Sequence, residues 1–239
     1  MADSALIMRA LPLFHDRHDA GLQLAAALQP RLHGNDDVVV LALPRGGVPV
    51  GDEIARALNA PLDVLFVRKL GAPGYPELGV GAVVDGEHPQ RILNQHVIDA
   101  VQPPPGYLEA EEHRQLEVIE QRKRLFRHDR PPEAVEGRTA IVVDDGIATG
   151  GTVRVALQAL ERSGAARVML AVPVAPRDVL PLLPVAPQNT VCLYALADFV
   201  AVGAYYRDFE QLDDDTVIAL LDRAHRRVYG ASGVPRAAA

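Results

Sequence analysis

The chain has 239 residues, of which 49% are hydrophobic and 23% charged, and its 24 Lys+Arg against 31 Asp+Glu give a formal net charge of −7; this is the balance of a soluble globular protein, and an acidic surface disfavours broad electrostatic binding of nucleic acid. Cys192, the single cysteine, excludes an intrachain disulfide and sits in an apolar run as a small core residue, which predicts a reducing, cytoplasmic setting. Residues 1–14 lack an apolar signal core, and the apolar stretch 190–206 is interrupted by Asp198 and Gly203, so neither a signal peptide nor a membrane span is predicted.

In chain order, Ala20, Leu24, Ala25 and Leu28 predict an N-terminal helix docked on the sheet. Residues 38–43 form a continuous aliphatic run, the mark of a strand buried on both faces, and residues 62–67, 139–143, 167–174 and 190–197 repeat it. Val50, Ile54 and Leu58 predict a helix after the first strand; Val153, Ala156, Leu157 and Leu160 predict another, with Gly164 at its end. Strands alternating with helices imply a Rossmann-like, mostly parallel α/β sheet covered by helices, with ligands beyond the carboxyl ends of the strands.

The chain reads as a single domain over 1–230 with an insertion at about 70–137. That insertion holds a Gly/Pro-rich loop (Gly71, Pro73, Gly74, Pro76), a hairpin over 78–93, and a long helix over 107–128 after Pro103, Pro104 and Pro105. The helix is acidic early (Glu109, Glu111, Glu112) and basic late (Arg122, Lys123, Arg124, Arg127), as the macrodipole favours; it reads as a solvated face or as the surface of a homodimer. Residues 197–228 form a C-terminal hood that ends in a helix from Asp214, and 231–239 a flexible tail.

The segment Ile141-Val142-Val143-Asp144-Asp145-Gly146-Ile147-Ala148-Thr149-Gly150-Gly151-Thr152 carries the chemistry. A buried strand runs into two acids, a small-residue turn and a helix start. Its glycines let a ligand approach the backbone, and the helix start offers free N–H groups and a positive dipole end to a phosphate. Carboxylates beside such a socket repel phosphate but accept hydrogen bonds from a sugar diol, so the combination suits a phosphorylated ribose. An ordinary P-loop is excluded by the absent lysine. A direct Mg2+ site at the acid pair would leave Thr149, Gly150, Gly151 and Thr152 without a role, and a plain glycine turn capped by acids is the bland alternative.

This segment resembles the signature of the type I phosphoribosyltransferases, which bind 5-phosphoribosyl-1-pyrophosphate (PRPP). The resemblance implies that Asp144 and Asp145 hold the ribose hydroxyls, that Ala148, Thr149, Gly150, Gly151 and Thr152 wrap the 5′-phosphate, and that Gly146 and Ile147 belong to the same PRPP-binding segment. Leu43-Pro44-Arg45-Gly46-Gly47 resembles the family's pyrophosphate loop, and Arg68-Lys69 the cationic start of its mobile loop. More narrowly, residues 44–47, 67–83 and 142–152 resemble a bacterial phosphoribosyltransferase-like group.

What the resemblance implies is transfer of the phosphoribosyl group from PRPP, with Mg2+ bound to it, onto a nitrogenous acceptor, with release of pyrophosphate. Arg45, Arg68 and Lys69 would stabilise the leaving group, residues 71–77 would close as a lid, and Glu77 would be an acid/base group. An acceptor base would be held by Phe199, Val200 and Tyr205, with Tyr206 as an alternative. The hypoxanthine-guanine members place an aspartate base where this chain has Ala148, which disfavours their mechanism; the 148–152 form resembles the adenine branch without implying adenine as acceptor. The rival readings are a PRPP- or nucleotide-sensing regulator without turnover, a phosphoribosyl hydrolase, and a transferase to a non-nucleobase amine.

Overall fold

The computed structural model describes residues 12–34, 36–86, 89–128 and 130–230; the tail expected over 231–239 lies outside them. The element order is α1 (Arg17–Leu28), β1 (Val38–Ala42), α2 (Gly47–Ala57), β2 (Leu62–Val64), β3 (Val67–Ala72), β4 (Tyr75–Val84), β5 (Gln90–Leu93), α3 (Gln95–Val101), α4 (Tyr107–Arg127), β6 (Thr139–Val143), α5 (Gly151–Glu161), β7 (Arg167–Pro176), β8 (Thr190–Leu196) and α6 (Asp214–Tyr229). Five strands form a parallel sheet in the order β2-β1-β6-β7-β8. This is the helix-flanked α/β fold expected from the aliphatic runs.

Strand side chains alternate between faces, and the sheet buries both. Val38, Val40 and Ala42 of β1 point into an apolar layer with Leu24, Ile54, Ile141 and Leu221, whereas Val39 and Leu41 point into a second layer with Val142, Leu157 and Leu170. The N-terminal helix starts under a side-chain cap, Asp16 accepting from the Asp19 N–H at 2.8 Å. No helix among the described residues is long and apolar enough to cross a membrane.

The insertion differs from its expected form. Residues 62–67 do not make one strand: β2 ends at Val64, and β3 opens a separate antiparallel sheet in the order β3-β4-β5. The supposed loop at 71–76 is the tip of this sheet, β3 running to Ala72 and β4 starting at Tyr75. Glycines and prolines that read as a loop serve a bulged hairpin: a Cβ on Gly71 would meet the Pro76 Cα at 2.8 Å, and Gly74, at φ +72°, makes the turn. The seven-residue α3, its first turn capped by Asn94, was not expected. The long helix α4 matches its expected bounds within a residue and buries Ile119 and Phe126 within the chain.

Candidate active site

β1 and β6 lie side by side, and the chain leaves β1 toward β2 on one side while β6 flanks it on the other. The sheet therefore has its switch point between their carboxyl ends, where ligands of such sheets bind. Two glycines allow the loops there to touch. A Cβ on Gly47 would meet the Val143 carbonyl at 2.6 Å, and one on Gly46 would overlap the Asp145 carboxylate. The Leu43 N–H donates to the Val143 carbonyl at 2.9 Å, and the Pro44–Arg45 peptide bond is cis.

The acid pair closes the end of β6. Asp144 Oδ1 accepts the Asp145 N–H at 2.9 Å, and Asp145 Oδ2 accepts Arg17 Nε at 2.8 Å. Arg17 comes from the start of α1, lies over the Phe209 ring at 3.8 Å and donates to the Glu210 carbonyl at 2.9 Å. Tyr206 donates its hydroxyl to the Asp145 carbonyl at 2.6 Å. Burial, then the charge of Asp145, holds the Asp144 carboxyl well above its usual range; burial also raises Asp145, against the opposing pull of Arg17. Desolvation likewise pushes the Tyr206 phenol up.

Beyond the pair, the Ile147 N–H donates to the Val174 carbonyl at 2.9 Å and its side chain is buried, so this residue anchors the turn to β7. Ala148, Thr149, Gly151 and Thr152 are exposed. Gly150, at φ +75°, precedes α5, and no side chain caps that helix start. Its first N–H groups thus remain available to an anion.

The flap strands face this turn. A cleft of about 810 Å³ runs between β3 and the start of α5, with Arg68, Lys69, Thr149, Thr152 and Arg154 on its walls. Arg68 Nε donates to Gln115 at 3.1 Å. Lys69 Nζ pairs with the Glu77 carboxylate at 2.9 Å across the hairpin, and the Glu77 side chain is 96% exposed. Glu77 is therefore a salt-bridged flap-tip residue in this state, outside the walls of the cleft.

The hood lies over the strand ends, Val202 packing so closely that a Cβ on Gly146 would meet it at 2.6 Å. Of the expected acceptor residues, Val200 is 69% exposed and Phe199 half-buried, whereas Tyr205 is 3% exposed. The Tyr205 hydroxyl donates to the Asp198 carbonyl at 3.2 Å and accepts the Val200 N–H at 3.1 Å. The structure thus uses Tyr205 to shape the 198–200 loop, and Tyr206 is spent on Asp145. Burial pushes the thiol of Cys192, a partly buried residue packed against the core, up to about 11, which keeps it protonated and unreactive at neutral pH.

Arg17 and Arg122 are the site-proximal groups that sequence reasoning passed over. Arg122 sits on α4 beside Arg45, and both face Asp214, at 2.9 and 3.6 Å. Each comes from an element distant along the chain and stands in no motif. The one sequence signal was the basic end of α4, which reads equally well as dipole compensation.

A parallel α/β sheet with a glycine-rich strand-to-helix turn at its switch point is the architecture of the phosphate-binding α/β proteins. Within that class the match is specific: the phosphoribosyl transferase domain model covers residues 16–180, and the chain belongs to that family. Two Mycobacterium tuberculosis proteins (strains CDC 1551 / Oshkosh and ATCC 25618 / H37Rv), both named "Putative phosphoribosyl transferase", are 47% identical over 228 residues, 95% of this chain and 51% of theirs. The chain thus spans about half the length of the curated relatives it matches. The crystal structure of TT1426 from Thermus thermophilus superposes with a TM-score of 0.75 at 44% identity, over 87% of this chain and 97% of that one.

Proposed function

We propose that the chain is a cytoplasmic phosphoribosyltransferase that moves the 5-phosphoribosyl group of PRPP to a nitrogenous acceptor, a nucleobase by preference, and releases pyrophosphate. The observation that carries this reading is the meeting of the Asp144/Asp145 pair with an uncapped helix start at the switch point of the sheet. A phosphate suits the 148–152 turn, and a vicinal diol suits the carboxylates, which accept its two hydroxyl protons.

Among the described residues no group of three or more His, Cys, Asp or Glu side chains could hold a metal ion alone. The Asp144 and Asp145 oxygens are hard donors of the kind Mg2+ takes, so they fit an ion that arrives on PRPP and draws most of its ligands from pyrophosphate, ribose and water. Bound there, Mg2+ would neutralise charge on the leaving pyrophosphate.

The remaining work falls to side chains. Arg45 and Arg68, with Lys69 once freed from Glu77, would stabilise negative charge as the C1–O bond lengthens, while Asp144 and Asp145 fix the ribose and favour its positive charge. Pro44, Gly46 and Gly47 let the 44–47 loop sit against the pair, so that sugar and leaving group are held together. Closure of the flap tip would exclude water, which otherwise hydrolyses PRPP, and would bring Glu77 toward the acceptor as a candidate acid/base group. Phe199 and Val200, on the open lip of the hood, are the better placed of the acceptor candidates; Tyr205 would act through them.

The test is acceptor-dependent pyrophosphate release from Mg2+ and PRPP over a panel of purine and pyrimidine bases. We expect release with at least one base and a phosphoribosylated product by mass spectrometry. PRPP binding with no release for any acceptor would instead favour a ligand-sensing regulator.

A further inference from the structure

Behind the 44–47 loop lies a second, smaller cleft of about 220 Å³, lined by Pro44, Arg45, Arg68, Arg122 and Thr152 among others. Three guanidinium groups from three elements thus converge beside the start of α5. Two of them share one carboxylate: Asp214, in the first turn of α6, accepts Arg122 Nη1 on Oδ2 at 2.9 Å, while Arg45 Nη1 stands 3.6 Å from Oδ1. That Oδ1 is buried and has no hydrogen-bond partner. Arg68 is held from the same helix as Arg122, through Gln115. The Arg122 and Arg45 side chains remain 46% and 39% exposed, so both can reach a ligand.

Arg45 and Arg122 face Asp214, and Asp213 beside it also feels Arg45; with Arg68, three positive charges against these two carboxylates still leave an excess that water must screen and that a multiply charged anion would neutralise with bidentate contacts. We propose that Arg122 is a third guanidinium of the pyrophosphate site, and that Asp214 is an internal counter-anion that holds Arg45 and Arg122 at the cleft until the ligand's pyrophosphate displaces it. The inference rests on the PRPP reading above and adds to it a helix of the insertion and the first turn of the C-terminal helix. Asp214 then competes with the ligand, so it lowers affinity while keeping the arginines in position.

The experiment is calorimetric titration of the wild type, Arg122→Gln, Arg122→Lys and Asp214→Asn with inorganic pyrophosphate and, separately, with ribose 5-phosphate, which engages the 144–152 turn alone. Loss of one charge-assisted interaction should weaken pyrophosphate binding by roughly ten- to a hundredfold in Arg122→Gln. Arg122→Lys should recover part of that loss, and Asp214→Asn should bind pyrophosphate more tightly than the wild type. Ribose 5-phosphate affinity should be unchanged in all three. Equal pyrophosphate affinity in Arg122→Gln, or weaker binding in Asp214→Asn, overturns the inference and leaves the PRPP reading standing. A wild type that binds ribose 5-phosphate but not pyrophosphate does the same, whereas one that binds neither removes the parent reading as well.

Discussion

Asp145 is held by three contacts of different kinds: Arg17 on its carboxylate, the Tyr206 hydroxyl on its carbonyl, and the bare backbone of Gly46 against its side chain. Arg17 and Asp145 are only 12% and 14% exposed in their side chains, so their attraction is little screened. Burial raises both carboxyls of the acid pair, the charge of Asp145 raises Asp144 further, and Arg17 opposes the rise at Asp145. If the ionised pair accepts the ribose hydroxyls, PRPP affinity must rise with pH as the pair loses its proton. Removing Arg17 withdraws the charge that favours ionisation, so Arg17→Gln should move the midpoint of that rise to higher pH. The measurement is PRPP affinity against pH for both proteins. A loss by one constant factor at every pH would mean that Arg17 serves packing alone. Nothing near Arg17 in the sequence announces this role, because its partner lies 128 residues away.

At the scale of the element, the flap is a three-stranded sheet clamped at its root by buried ion pairs and tied near its tip by a single hydrogen bond. Arg127, at the end of α4, donates to Asp63 at 2.7 Å, to Asp85 at 2.6 Å and to the Val64 carbonyl at 2.6 Å. It thereby joins the last strand of one sheet to the base of the other, with all three side chains buried. Tyr107 adds a bond from α4 to the Gly71 carbonyl at 2.9 Å, while Tyr75 at the tip is 71% exposed. Arg127→Met would leave buried Asp63 without its cation and buried Asp85 with Lys123 alone, at 3.4 Å, a loss of about 3 kcal/mol and a fall in Tm of roughly 10 °C for a chain of this length. Thermal unfolding checks it, and a shift under about 2 °C would show that the clamp contributes little. The same cluster explains why residues 62–67 read wrongly as one strand. Their apolar character is continuous apart from Asp63, but that aspartate takes Arg127, and the Phe66 carbonyl already accepts the Asp85 N–H of the flap at 2.8 Å. Tertiary pairing, invisible to periodicity, divides the run.

For the whole molecule, the parallel sheet and the 144–152 turn were legible because each is local: an aliphatic run buried on both faces, and a contiguous strand, acid pair, glycine turn and helix. The arrangement around the turn was not, since the sheet order sets β1 beside β6 and so gathers Arg45, Arg68, Arg122 and Arg17 from four separate stretches. The segment after β8 followed the same rule: the burial of Tyr205 depends on packing against Phe14, Val174 and Tyr206, which lie far from it or beside it in ways periodicity does not show. The central claim is that the acid pair and its turn bind PRPP. Calorimetric titration of the wild type and the Asp144→Asn/Asp145→Asn variant with Mg2+ and PRPP tests it most directly. The account predicts saturable binding by the wild type and a loss of at least roughly tenfold in the variant, about 1.4 kcal/mol or more; equal affinity in the two proteins, or no binding by the wild type, would contradict it.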